Sequence, residues 1–196
     1  MKLISVYILF LIACSSPLQD KNATGQDSTL STTTTFPAIA DTVTEVMEEM
    51  VDEKNDNEIN TGEVKPEAVI SFAHTLKGVP YRYASTDPNY GFDCSGFITY
   101  VFNHFKIKVP RSSVDFTHVG REVPLHESKP GDLILFTGTD STIRVVGHMG
   151  IITTSMQGNI EFIHSTSGKA YGVTTTPLNK YYMSRFVKVI RIFPGN

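Results

Sequence analysis

Apolar positions along the 196-residue chain fall into three regimes. Behind Lys2, Leu3 to Ile12 form an apolar run of about ten residues. That is too short for a stable bilayer-spanning helix and suits the apolar region of a secretory signal. Residues 15–65 are dominated by Ser, Thr, Asp, Glu and Asn, with the run Ser31-Thr32-Thr33-Thr34-Thr35 inside them. Their apolar content is too low to repay the entropy of ordering a core. Val43, Val46, Met47, Met50 and Val51 share a helical face there, read as a transient turn in an otherwise flexible arm. From Pro66 the pattern changes. Pro suits a first helical turn, and Ala68, Val69, Phe72, Ala73 and Leu76 then recur at helical spacing up to Gly78. Phe97, Ile98, Val101, Phe102 and Phe105 predict a second helix, starting at Cys94 with Asp93 as its N-cap. Beyond the turn Lys129-Pro130-Gly131-Asp132, strands are predicted at 133–137, 144–154, 159–164, 173–176 and 186–193. Helices followed by consecutive antiparallel strands predict an α+β domain over 66–196.

The net charge of −3 hides two opposite halves. Residues 15–65 hold eleven Asp/Glu against three Lys, whereas residues 66–196 hold thirteen Lys/Arg against nine Asp/Glu. A mildly basic domain favours acidic partners. With no Lys/Arg-rich run and no nucleic-acid motif, small substrates bearing carboxylates match it better than nucleic acid does. The two cysteines, Cys14 and Cys94, sit in separate contexts and do not read as a disulfide, so the domain rests on its own core. No Cys/His cluster or H-E-x-x-H pattern points to a metal, and no cofactor is expected.

Cys94, in the first turn of a predicted helix, is the candidate nucleophile. A thiolate is the attacking species, and a helix N-terminus together with a neighbouring histidine lowers a thiol's pKa. Of six histidines, His148 and His164 lie on predicted strands, whereas His74, His104, His118 and His126 carry no assigned role. The loop between these strands is short, so a hairpin would set His148 opposite His164 in one register and diagonal to it in another. Either way, one imidazole could act as base and the other as its orienter.

Seven short stretches carry family resemblances, one near the start of the chain and six in the domain. Leu11-Ile12-Ala13-Cys14 followed by Ser15-Ser16 resembles a bacterial lipobox. That implies cleavage after residue 13, a lipid on Cys14, and, through Ser15, an outer-membrane, periplasm-facing location. Several acyl chains on one cysteine hold a protein durably at about 0.8 kcal/mol per buried methylene. An arm over 14–65 would then span roughly 40 Å as flexible coil, enough to lift a domain towards the wall.

Within the domain, Gly78-Val79-Pro80-Tyr81-Arg82-Tyr83, Phe92-Asp93-Cys94-Ser95-Gly96-Phe97, Val109-Pro110-Arg111-Ser112-Ser113, Pro130-Gly131-Asp132-Leu133, Gly147-His148-Met149-Gly150-Ile151 and Phe162-Ile163-His164 occur in that order. This looks like the NlpC family of cell-wall peptidases. The resemblance implies a papain-like fold with helices packed on a sheet of about five strands. It implies hydrolysis of peptidoglycan stem peptides, often between D-γ-glutamate and diaminopimelate or Lys, by a protein expected to act as a monomer. Residue by residue, it makes Cys94 the nucleophile, His148 the base and His164 the third polar residue. Tyr81 resembles the family's oxyanion tyrosine, with Tyr83 close by. Asp93, Ser95 and Arg111 border the expected oxyanion and substrate positions. For Arg111, a structural role after Pro110 is preferred over a substrate carboxylate contact. One departure is Ala84-Ser85, where the family usually has a glycine pair.

Overall fold

The computed structural model describes residues 58–156 and 158–196. The signal segment 1–13, Cys14 and most of the arm therefore lie outside the described residues. Among those described, no helix is long and apolar enough to cross a membrane.

Two helices come first. Helix α1 (Pro66–Thr75) starts at its proline and buries Val69 and Ala73. Helix α2 (Cys94–His104) is capped by Asp93, whose carboxylate accepts from the Gly96 N–H at 2.6 Å. Such a cap is typically worth about 1 kcal/mol. Between them lies a small hairpin, β1 (Thr86–Asp87) with β2 (Gly91–Phe92). Six strands follow: β3 (Arg121–Val123), β4 (Leu133–Thr137), β5 (Val146–Met156), β6 (Asn159–Thr166), β7 (Gly172–Pro177) and β8 (Phe186–Arg191). They form one antiparallel sheet in the order β3-β8-β4-β5-β6-β7.

The α+β expectation holds; besides the unpredicted β1–β2 hairpin, the main sheet has one strand more than the five predicted. The extra strand is β3, three residues too short to show a period-two pattern, which pairs along β8 at the sheet edge. A short helix, α3 (Lys180–Arg185), was also not anticipated. Two residues placed in the arm by composition are packed here: Ile59 joins the core and Thr61 is buried.

The sheet separates two apolar clusters. Leu133, Leu135, Met149, Ile151, Ile163 and Ile190 face α1 and α2. Ile134, Phe136, Ile152, Phe162 and Val189 face away from them and pack with Tyr182 of α3. Burying each such side chain contributes about 1.5–3 kcal/mol. Pairing the C-terminal strand to the β4 turn is a buried bidentate ion pair. Arg191 donates from Nε and a terminal nitrogen to the two oxygens of Asp132, at 2.9 and 2.8 Å.

Candidate active site

The start of α2 is held by a closed polar network. Asp93 accepts from Arg111 at both oxygens, at 3.1 and 2.6 Å, while Arg111 also donates to the Ser95 hydroxyl at 2.9 Å. Ser95 in turn donates to Asp93 at 3.3 Å. Arg111 is thus engaged with the capping residue, and all three side chains brace the turn that presents Cys94. Gly96 has a packing reason: a Cβ there would run into the Ser85 carbonyl, which accepts the Asp93 N–H at 3.2 Å. At the departure from the glycine pair, Ala84 adopts φ +59°, a left-handed conformation that costs a non-glycine residue about 1–2 kcal/mol.

Cys94 lines a cavity of about 550 Å³ with Tyr81, Tyr83, Arg111 and Gly147. Its Sγ lies 3.8 Å from the Gly147 carbonyl, to which the thiol donates. Burial, then the Asp93 carboxylate, pushes the thiol up to about 11. The N–H groups of Ser95 and Cys94 and the charge of Arg111 act in the opposite direction and do not overcome this. The backbone donors at the start of α2 are present, but desolvation and the Asp93 charge outweigh them. Of the two candidate tyrosines, Tyr81 is half-buried, tied by its N–H to the Tyr171 carbonyl at 3.0 Å, whereas Tyr83 is 84% exposed. Burial, then the charges of Cys94 and Asp93, raises the Tyr81 phenol, which keeps it a donor.

His148 and His164 meet. Their Nε2 and Nδ1 atoms are 2.8 Å apart, and His164 Nε2 lies 2.9 Å from the Thr176 hydroxyl. The pair is diagonal, not directly opposed. At the hairpin end Met156 pairs with Asn159 and Thr154 with Glu161; Thr153 is then an extra residue, and beyond it Ile152 pairs with Phe162 and Ile151 with Ile163. Carrying that register on sets Gly150 opposite His164, and a Cβ on Gly150 would crowd Phe162, Ile163 and His164. His148 therefore reaches His164 across the glycine. The bulge also sets the faces. Without Thr153, even positions on β5 would align with odd ones on β6, and the two imidazoles would point to opposite sides.

Phe136, Phe162 and Tyr182 box the two rings, with Tyr182 edge-on to His164 at 5.4 Å. Burial first, then His164 and Arg185, holds His148 well below the ordinary imidazole range. Burial and then Arg185 takes His164 down to about 3. Both rings are neutral at neutral pH. Thr176 and Arg185 were not singled out from sequence. Thr176 lies in a run of threonines, and Arg185 lies on a helix that was not anticipated, so neither had a local signal.

The thiol bonds to the residue before His148, and among the described residues no hydrogen bond joins Cys94 to His148 itself. Chemically, the arrangement is a helix-terminal thiol on the carbonyl that precedes a neutral imidazole, whose Nε2 is fixed by a second imidazole. The profile of the NlpC/P60 family matches residues 78–191, a stretch containing all of these groups. The chain belongs to the NlpC/P60 family. This NlpC/P60 chain is 33% identical over 135 residues to a γ-DL-glutamyl hydrolase of Bacillus subtilis, covering 69% of this chain and 32% of that protein. It is 31% identical over 139 residues to the Escherichia coli murein DD-endopeptidase MepS/murein LD-carboxypeptidase, covering 70% and 68%. A solved NlpC/P60 family protein from Bacillus cereus superposes with a TM-score of 0.60 at 28% identity, over 68% of this chain and 42% of that one. The papain-like fold is thus shared with solved relatives. The chain spans 32–57% of the length of three of the curated relatives it matches.

Proposed function

We propose that this chain is a cysteine endopeptidase that hydrolyses peptidoglycan stem peptides, at the D-γ-glutamyl–diaminopimelate or –Lys bond, during cell-wall remodelling. The observation that carries the reading is the His148–His164 contact beside a helix-terminal cysteine. The relatives' names, a γ-DL-glutamyl hydrolase and a murein endopeptidase, support the substrate class.

The hydrogen-bond chain supports definite roles. If His148 Nε2–H donates to His164 Nδ1, then His164 Nε2–H donates to Thr176, and the lone pair of His148 is left on Nδ1. That nitrogen takes the thiol proton as Cys94 leaves the Gly147 carbonyl and attacks the scissile carbonyl carbon. With the thiol high and the imidazole low, proton transfer accompanies attack, and a thiolate–imidazolium pair is not the resting state. The oxyanion is met by the Cys94 backbone N–H and the Tyr81 hydroxyl; one such donor is typically worth about 3–4 kcal/mol. His148 then protonates the leaving amine, and water releases the acyl group from Cys94. His164 orients His148, while Asp93, Ser95 and Arg111 hold the nucleophile's turn. Cys14 carries the lipid that anchors the mature chain, after removal of 1–13, at the periplasmic face of the outer membrane, with the arm placing the domain near the wall.

Digestion of purified peptidoglycan, read as a muropeptide profile, tests this. The wild type should release new muropeptides and Cys94→Ala should not; identical profiles for the two would end the proposal. A second reading, a non-catalytic wall-binding lipoprotein, is favoured by one observation: the Cys94 thiol donates to the Gly147 carbonyl and, among the described residues, makes no hydrogen bond to His148. It predicts that wild type and Cys94→Ala both bind the wall and neither cuts it.

A further inference from the structure

One buried charge lies beside the imidazole pair and has no part in the mechanism above. Arg185, the last residue of α3, is only 6% exposed. Its two terminal nitrogens donate to the Thr137 carbonyl at 2.9 Å and to the Tyr181 hydroxyl at 2.7 Å, so the guanidinium is fixed at the end of β4. Its Nε is buried with no hydrogen-bond partner. The guanidinium carbon lies 5.8 Å from the centre of the Tyr182 ring. That same ring stacks on His148 at 6.1 Å and meets His164 edge-on at 5.4 Å. One phenol ring therefore touches the cation and both imidazoles.

No carboxylate lines the cavity that His148 and Arg185 share; its other titratable groups are Tyr181, Tyr182 and Lys169, the last on the exposed loop between β6 and β7. Among the described residues, the ion pairs of Asp93, Glu127, Glu122 and Asp132 are made with other partners. Phe136 of β4, Phe162 of β6 and Thr176 of β7 complete the surroundings of the two rings, and the protonated Cys94 thiol lies across Gly147. A guanidinium buried this deeply ordinarily has a carboxylate beside it, because desolvating it alone is costly. Left without one, it projects its charge onto its neighbours through a medium that screens poorly. An imidazole near a fixed positive charge resists taking a second proton. Burial, His164 and then Arg185 act in that direction on His148, and burial and then Arg185 on His164.

We propose that Arg185 is a positioning residue for the reaction: its charge, fixed against Tyr182, keeps the His148–His164 pair neutral in mildly acidic surroundings, so that the base remains available there. The role rests on the endopeptidase reading. It carries a cost of its own, since the same charge opposes the imidazolium that forms on His148 during attack.

The test compares full-length wild type, Arg185→Gln and Arg185→Met with Arg185→Lys, which keeps the charge. The readout is kcat/KM on a defined muropeptide against pH, with protonation of the His148 and His164 rings followed by NMR in the Cys94→Ala background. Loss of the charge should move the acid limb and the ring titrations up by about one pH unit or more. Arg185→Lys should leave them within about 0.3 unit of wild type. Above the limb, kcat/KM of the neutral variants should be retained or rise, whereas a merely structural loss would lower it at every pH. An unmoved limb in a folded neutral variant, or an Arg185→Lys limb displaced as far as the neutral ones, overturns the proposal. If neither neutral variant folds, Lys169→Glu sets an acid in the same cavity from the exposed loop and should move the limb up by about half a unit; no movement overturns the proposal. The two proposals fail separately. If the wild type cuts muropeptides while the ring titrations ignore Arg185, the peptidase stands and this role falls. If it cuts nothing while the rings follow the charge, the electrostatic role stands and the peptidase falls.

Discussion

Replacing His164 by leucine removes the acceptor for His148 Nε2–H while keeping an apolar side chain of similar size in a fully buried position. The Phe136 and Phe162 rings that box the pair offer no substitute acceptor. The productive tautomer of His148, protonated on Nε2, would then bury an unsatisfied donor at about 1–3 kcal/mol. The alternative tautomer, protonated on Nδ1, escapes that penalty but cannot accept the thiol proton. At 1.36 kcal/mol per tenfold, the productive fraction should fall by about 5- to 150-fold. Because the loss is one of population and not of substrate contact, it should appear in kcat with KM little changed. The assay is steady-state hydrolysis of a defined muropeptide by chromatography, with folding checked by thermal unfolding. His164→Gln, whose side-chain carbonyl can accept the same proton, should recover most of the activity. A folded His164→Leu enzyme within twofold of wild type, or a His164→Gln no better than His164→Leu, would refute the tautomer argument.

Three further outcomes follow from the same geometry. His148 and His164 have folded pKa values below their unfolded value of 6.5, so the unfolded chain binds the extra protons as pH falls. Their contribution is complete above pH 6.5 and is lost as pH falls towards about 3. Urea unfolding should show stability declining over that window by up to about 1.4 kcal/mol per pH unit for each histidine, and a flat profile between pH 7 and 4 would contradict it. With the thiol near 11, alkylation of Cys94 by iodoacetamide in the free enzyme should rise steadily from pH 6 to 10, and an acid plateau below pH 7 would instead mean a resting ion pair. Asp132→Asn leaves the buried Arg191 guanidinium without its counter-charge and should cost about 3–5 kcal/mol in denaturant unfolding, with a loss under 1 kcal/mol arguing against the strut.

Local chemistry was legible in the chain, and long-range register was not. The start of α2 could be read because a cap, a helical apolar stripe and Cys94 all lie within a dozen residues, and backbone capping is decided by near neighbours. The strands carrying His148 and His164 could be read from alternation. How the two rings meet could not: a single added residue at Thr153 reverses which faces align, and its place depends on how β5 packs between β4 and β6. The burial that raises the thiol was not legible for a related reason, since the exclusion of water is a property of the folded site.

The amino-acid sequence by itself determined the α+β class, the helix-terminal position of Cys94, the identity of both histidines and the contrast between an acidic arm and a basic domain. Each follows from periodicity, capping or composition, which act over a few residues. Tertiary structure alone decided that Arg111 is tied to Asp93, that Thr176 terminates the imidazole chain, and that Arg185 reaches the His148 side of the sheet. Those facts depend on which distant segments are brought together and on how much water is excluded between them, and neither quantity is written in local sequence.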